Sequence, residues 1–425
     1  MRTLSTAATL KTLLENLLQT PLPIRLRAWD RSEAGPVDTP VLVIRHRRAL
    51  RRLMWQPHEI GLARAYVSGE IDVEGDLYEA LGRVAALIWR ANPDISGTSV
   101  RAVAGDLLRL RIVGPQPKPP REEIAMSGVR HSRRRDRQAI SHHYDVGNDF
   151  YRIVLGPSMV YSCAYWTSTD ATYELADAQR DKLDLICRKL ALRPGMRMLD
   201  VGCGWGSLAM HAAREYGVQV LGITLSTEQA DYARKQVAES GLTDQVEIRI
   251  QDYRDLDDGP FDAIASVGMA EHVGIGPYAE YAGVLFRQLR PGGRLLNHQI
   301  GALHPAPRTS GRSFIDAYVF PDGELAPLGT TVSLIEEAGF EVRDVHALRE
   351  HYARTLRAWV HNLESDWPTA VRLTSPGRAR VWRLYMAASA LAFEQGRIGV
   401  NQILAVKTRR DGTSEMPPTR SGWLA

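Results

Sequence analysis

The segment Asp200-Val201-Gly202-Cys203-Gly204-Trp205-Gly206 is the part of this chain best suited to receive a ligand. It follows Met196-Arg197-Met198-Leu199, read as a strand after the turn Pro194-Gly195, and precedes a helical pattern, so it reads as a strand-to-helix turn. Glycines at such a turn let backbone approach a ligand and adopt dihedrals that a side chain forbids. The spacing G-x-G-x-G lacks the later glycine of the dinucleotide fingerprint, and no Gly-Lys-Ser/Thr follows to cradle a triphosphate. The next strand ends Gly222-Ile223-Thr224-Leu225-Ser226-Thr227-Glu228-Gln229, with no acid at its tip. The hydroxyls of Thr224 and Ser226 and the amide of Gln229 must therefore hold any ribose, or Glu228 must reach back. After the third strand, Asp252 is placed to accept from an adenine amino group, with Tyr253 beside the ring. The bland alternative for Asp252 is a turn or helix cap.

These residues need a scaffold, and the pattern from about residue 180 supplies one. Strands are expected at 196–201, 218–223, 246–250, 261–267 and 294–300, with helices at 205–216 and 226–240. Strands alternating with helices mean an α/β domain, doubly wound around a mostly parallel sheet covered on both faces. Ligands on such sheets bind at the carboxyl ends of the strands. Residues 345–400 return to helical spacing. Residues 1–115 read as a smaller first domain, with a helix carrying Leu10, Leu13, Leu14, Leu17 and Leu18, a strand Val41–Ile44, and helices at 77–90 and 99–112. A Pro-rich and Arg-rich linker covers 116–140, a catalytic domain 141–410 and a flexible polar tail 411–425.

A length of 425 residues suits two or three domains, and 44% apolar with 24% charged residues suits a folded globular chain. The three cysteines fit neither a disulfide framework nor a zinc site, so no metal is expected. No apolar run is long enough to cross a membrane, and Met1–Glu15 lacks a signal-peptide core, so a cytoplasmic protein is expected. The net charge of +4 does not indicate nucleic acid. Arginines outnumber lysines 47 to six, which suits phosphate contact but also a GC-rich genome. Arg130, Arg133, Arg134, Arg135 and Arg137 are read either as a solvated face or as an anionic-surface contact.

The run Leu199–Gly206 resembles the first motif of class I S-adenosylmethionine-dependent methyltransferases, whose fold is Rossmann-like with a seven-stranded sheet. A wider set of motifs is more specific. It comprises His143-Tyr144-Asp145-Val146-Gly147-Asn148-Asp149-Phe150, Tyr161-Ser162-Cys163-Ala164, Gln251–Leu256, Met269-x-Glu271-His272-Val273-Gly274 and Tyr318-Val319-Phe320-Pro321-x-Gly323. Together they resemble the cyclopropane-fatty-acyl-phospholipid synthase family, which includes the mycolic acid cyclopropane synthases, over about 140–405. Gly61–Glu70 is similar to the N-terminal domain of its longer, phospholipid-acting members.

The resemblance implies methyl transfer from S-adenosylmethionine to the cis double bond of an acyl chain. The carbocation so formed must be kept dry and closes to a cyclopropane when a bound bicarbonate takes a proton. It implies that Cys163 and Ile300, through their backbones, and Glu271, His298 and Tyr352 hold the bicarbonate. It implies cofactor contacts at Tyr161, Ser162, Gly202, Gly204, Thr224, Gln229 and Asp252. Read singly, a buried cysteine, a histidine after a strand or a tyrosine at a helix start is more often packing than chemistry. One departure is Phe393-Glu394-Gln395-Gly396, where the family often has Phe-Arg-x-Gly.

The resemblance further implies a phospholipid partner, peripheral contact with the inner face of the membrane, and a homodimer. An alternative product is a methylene-branched chain, formed if a hydride shift precedes proton loss, and a separate reductase could then make a methyl branch. Two other classes remain open: a small-molecule or nucleic-acid methyltransferase, with a polar pocket by Glu271, and a lipid-binding protein on an inactive methyltransferase scaffold.

Overall fold

The computed structural model describes residues 4–90, 100–126, 128–144, 146–303 and 312–424. Asp145, residues 1–3 and the first residue of the helix expected at 99–112 lie outside them. The chain forms two compact units. One comprises Met1–Ala125, Ser310–Val319 and Ser375–Leu391, and the other Met126–Thr309, Phe320–Thr374 and Ala392–Ala425. Two later segments thus group with the N-terminal region, which a boundary drawn along the sequence does not capture.

The first unit contains the strands β1 (Arg25–Arg27), β2 (Glu33–Ala34), β3 (Val41–Ile44) and β4 (Ile71–Glu74), in the order β2-β1-β3-β4. The leucine-rich helix is Thr6–Leu18, N-capped by Ser5, and it buries Leu10 and Leu13 against Ile24, Leu26 and Ile44. Arg52 and Glu70 form a buried ion pair at 2.9 Å. Each satisfies the other where an unpaired charge would be costly.

The second unit holds β5 (Arg197–Val201), β6 (Gln219–Thr224), β7 (Val246–Ile250), β8 (Phe261–Val267), β9 (Leu289–Ala302), β10 (Glu341–Ala347) and β11 (Ile398–Val406). Their order is β10-β11-β9-β8-β5-β6-β7. Strands β5 to β9 pair in parallel and β11 runs antiparallel to both neighbours. The expected doubly wound α/β fold is present. Alternation along the strands feeds two cores. Met198, Val220, Ile248 and Ala263 face one layer of helices, while Leu199, Leu221, Ile264 and Leu295 face the other. Burial on both faces is the reason these strands read as near-continuous apolar runs.

The expectation of helix throughout 345–400 needs correcting at both ends. Helices fill Arg349–Ser365, Trp367–Leu373 and Pro376–Glu394, but β10 ends at Ala347 and β11 starts at Ile398. β10 is half-buried along most of its length, so its sequence lacks the apolar run that marks a central strand. β9 begins five residues earlier than expected, because Arg290-Pro291-Gly292-Gly293 are part of the strand. The polar C-terminal segment is tied to this unit by Arg343 Nη1 to Ser414 Oγ at 3.2 Å and Arg420 to Asp344 at 2.7 Å.

Candidate active site

The tips of β5, β6, β7 and β8 open onto a cleft enclosing about 1000 Å³, part of it open solvent. Its wall includes Gly202, Gly204, Thr224, Gln229, Tyr253, Met269 and His272. Gly202 has φ +75, and a Cβ there would lie 2.3 Å from Met269 Sδ. Only glycine suits that backbone and that approach. The helix Ser207–Tyr216 follows the glycine turn at once, so its N-terminal end lies beside the cleft.

Thr224, Ser226 and Gln229 form a local network at the end of β6. Thr224 Oγ1 donates to Gln229 Oε1 at 3.0 Å, and Ser226 Oγ caps the helix Thr227–Glu239 by accepting from Gln229 N at 3.2 Å. Glu228 is exposed and Gln229 buried, so the amide rather than the acid turns inward. Asp252 accepts from the Arg254 backbone N–H at 3.0 Å, and its two oxygens take Nε and Nη2 of Arg254 at 2.8 and 2.7 Å. Desolvation raises the Asp252 carboxyl, but the Arg254 hydrogen bonds outweigh it and hold the group below the usual carboxylate range. Tyr253 lines the cleft next to it, while Ser226 and Asp252 stand behind the wall as caps.

Tyr161 and Ser162 also stand behind the wall. The Tyr161 ring stacks on His143 at 5.6 Å and lies 5.3 Å from Trp359. Tyr144, which lines the cleft, packs edge-on against it at 6.4 Å. Ser162 is clamped by the helix Leu175–Lys189: Gln179 Nε2 donates to its carbonyl at 2.9 Å and Lys182 Nζ to its hydroxyl at 2.9 Å. Lys182 is 1% exposed, and burial lowers its pKa to about 8 against the attraction of Cys163 and Asp200. Asp200 is buried too; desolvation raises its carboxyl to about 7, and its Oδ2 has no hydrogen-bond partner among the described residues.

The proposed base-holding residues converge from four elements. Glu271 sits on the short helix Ala270–Val273 after β8, and its Oε1 accepts from Ile300 N on β9 at 2.6 Å. The Ile300 N–H is therefore engaged by Glu271. His298 lies two residues earlier on β9, opposite Gln402 of β11, whose Nε2 stands 3.3 Å from His298 Nδ1. With Gln402 donating to Nδ1, the ring proton sits on Nε2. Cys163 Sγ lies 3.2 Å from Ala164 O and 3.7 Å from Leu348 O. Leu348 O also accepts from Tyr352 N, and Leu348 N donates to Val400 O, the register partner of Ile300. A continuous chain of contacts thus joins Cys163, Tyr352, Ile300 and Glu271. Thr355, one turn after Tyr352, accepts from Ala164 N at 3.1 Å and fixes the cysteine loop.

This region is buried and under-satisfied. Glu271 Oε2 and His298 Nε2 are buried with no partner among the described residues. Burial raises the Glu271 carboxyl to about 7 and lowers His298 to about 3, so the imidazole is neutral at physiological pH. Burial also pushes the Cys163 thiol far above its ordinary range, which removes it as a nucleophile. A neutral imidazole N–H and a carboxyl that is protonated about half the time near pH 7 can both donate to a small anion. The residues therefore fit a bicarbonate. They fit poorly a site that binds by fixed positive charge. Trp359 lies 6.0 Å from the Tyr352 ring and Phe393 lies 4.7 Å from it, so aromatic faces line this side. Such faces exclude water and tolerate positive charge.

The cleft also fits S-adenosylmethionine: a glycine cradle, buried hydroxyl and amide groups beyond it, and Tyr253 as a flat wall. Sequence reasoning missed Gln179, Lys182, Arg254 and Gln402. A signal existed for the first two, since they are three residues apart on the otherwise apolar face of one helix. For Gln402 there was none, because its strand was not recognised.

The sequence pattern described as mycolic acid cyclopropane synthetase matches residues 131–403. The chain belongs to that family. As a member it is an S-adenosylmethionine-dependent methyltransferase. A probable fatty acid methyltransferase of Pseudomonas putida is 43% identical over 405 residues, covering 94% of this chain and 95% of that one. The cyclopropane-fatty-acyl-phospholipid synthase of Escherichia coli is 42% identical over 262 residues, 62% of this chain and 66% of its own. Among solved structures, the mycolic acid cyclopropane synthase CmaA1 in complex with SAH and CTAB superposes with a TM-score of 0.60 and 35% identity, covering 63% of this chain and 97% of that one. The family departure at Glu394 has a local answer, since Arg357 Nη2 donates to it at 3.0 Å.

Proposed function

We propose that this enzyme adds a one-carbon unit from S-adenosylmethionine across the cis double bond of an unsaturated phospholipid acyl chain, closing a cyclopropane. The observation that carries the reading is that Glu271 Oε2 and His298 Nε2 are both buried and have no partner among the described residues. S-adenosylmethionine, when bound, supplies a methyl group on a positively charged sulfur. Gly202 and Gly204 would leave room for it, Thr224 and Gln229 would face its far end with Asp252 behind them, and the Tyr161–Ser162 loop would back the wall at the near end. Transfer of that methyl group to the alkene would leave the sulfur neutral and the positive charge on the lipid chain. Trp359, Tyr352 and Tyr161 keep water from that cation. A bicarbonate, if bound, would be held by Glu271, His298, Tyr352 and the Cys163 backbone, with the Ile300 N–H orienting Glu271 instead of meeting the anion, and it would supply the base for the one methyl proton whose loss lets the ring close.

A second reading is favoured by one finding. Likeness to a named fatty acid methyltransferase spans nearly the whole chain, whereas likeness to the cyclopropane synthase spans 62% of it. If a hydride shift precedes proton loss, the same methyl transfer ends in a methylene branch. Both products carry the same added mass. Gas chromatography and proton NMR of fatty acids from an expressing host separate them: ring protons mark the cyclopropane, vinyl protons the methylene chain. Vinyl protons alone would replace the first reading with the second, and unmodified unsaturated chains would remove both. The working place we infer is the inner surface of the membrane. Among the described residues no helix is long and apolar enough to cross it.

A further inference from the structure

The first unit carries an exposed apolar face with charge around it. On the helix Arg48–Trp55, Met54 and Trp55 are 45% and 51% exposed. Beside them, Leu108 and Val113 are 66% and 54% exposed. Hydrogen bonds join the two stretches. Trp55 Nε1 donates to Gly114 O at 3.1 Å, and Arg51 Nε donates to Ile112 O at 2.9 Å. Arg111 N donates to Leu108 O, and Ile112 N to Leu107 O, which folds Leu108 back against the same turn.

The cations here are unneutralised. The Arg51 guanidinium meets only backbone carbonyls, and Arg109 and Arg111 are exposed with no carboxylate partner among the described residues. The nearest acid in sequence, Asp106, makes no ion pair with Arg109. A tryptophan with its N–H satisfied and its ring half in solvent, next to methionine, leucine and valine and rimmed by arginines, matches the interface of an anionic bilayer. Water gains nothing from these apolar tips. A protein partner would have to supply matching acids.

We propose that this face, Met54, Trp55, Leu108 and Val113 with Arg51, Arg109 and Arg111, docks the enzyme on an anionic phospholipid bilayer. The proposal rests on the reading that the substrate is a membrane lipid and names the surface that brings the enzyme to it. Each arginine near an anionic surface strengthens binding about fivefold, and salt screens the effect.

The test uses the full chain and sedimentation with vesicles of phosphatidylcholine alone or mixed with phosphatidylglycerol. The wild-type enzyme is expected to bind the mixed vesicles, and more weakly as salt rises. The double variant Arg109→Gln, Arg111→Gln should bind roughly 25-fold more weakly, and Met54→Ser, Trp55→Ser more than about tenfold more weakly. All should keep the wild-type melting temperature and its turnover on detergent-dispersed unsaturated phospholipid. Variants that bind vesicles like the wild type would overturn the proposal. So would variants that change the sedimenting oligomer, since the face would then be a protein contact. Absence of wild-type turnover on dispersed lipid would instead sink the proposed reaction and leave vesicle binding to judge the surface.

Discussion

At the end of β6, Thr224 donates to Gln229 and Ser226 accepts from it, while after β7 Arg254 fills both oxygens of Asp252. At β9 the pattern is the reverse: Glu271 Oε2 and His298 Nε2 are buried and unanswered among the described residues. The two regions lie on the same sheet. Buried polar groups are nearly always hydrogen-bonded, and a group that is not is costly. On the proposed function, the cofactor end is held largely by its own neighbours, Asp200 Oδ2 excepted, whereas the β9 end keeps polar atoms in reserve for something that arrives. The proposed function divides binding and chemistry between them.

The largest test of that division is Glu271→Gln. Its Oε1 can still accept from Ile300, so the fold should stand. Turnover is expected to fall about a hundredfold or more, with S-adenosylmethionine affinity within about twofold by calorimetry. Near-normal turnover would take Glu271 out of the chemistry. Lys182→Met probes the other end through Ser162 and Asp200. Its loss should weaken cofactor binding by about tenfold and leave kcat at saturating cofactor less affected. A drop confined to kcat would place Lys182 with the reaction region.

A pH series sharpens the contrast. The Glu271 carboxyl is raised from 4.5 to about 7 by burial. Its folded form therefore holds its proton longer than the unfolded one. Its contribution to stability is full below about pH 4.5 and disappears as pH rises through 7. The wild type should therefore lose melting temperature relative to Glu271→Gln as pH rises over that window, equivalent to about 3 kcal/mol at most. His298 and Asp200 titrate in both proteins and cancel. A pH-independent difference would show that the carboxyl is not buried as described. The smallest expected effect is that of Cys163→Ala. The thiol stays protonated and only its backbone is assigned a role, so kcat should change less than about threefold. A hundredfold loss would bring the sulfur into the reaction.

Much of the site could be read from residue types. The glycine turn, Thr224 with Gln229, and Glu271 lie within a few residues of a strand end, and a strand end is legible from a short apolar run. Asp252 shows the limit. Its position was legible, but the tie to Arg254 was not, because a two-residue step in a turn leaves side-chain direction open. Gln402 and β11 were hidden for a different reason. Ile398–Val406 is a buried run beside long helices, and its antiparallel pairing to β9 joins residues about a hundred apart in the chain.

The sequence by itself determined the parallel α/β core and the glycine cradle, since both follow from local periodicity and from dihedrals that only glycine takes easily. It also placed the candidate residues in ordered motifs. Only the tertiary structure decided which polar atoms are answered. That depends on Lys182, Gln402, Leu348 and Ile300 meeting across distant elements, and burial, which sets whether Glu271 holds its proton, is a property of the packed whole.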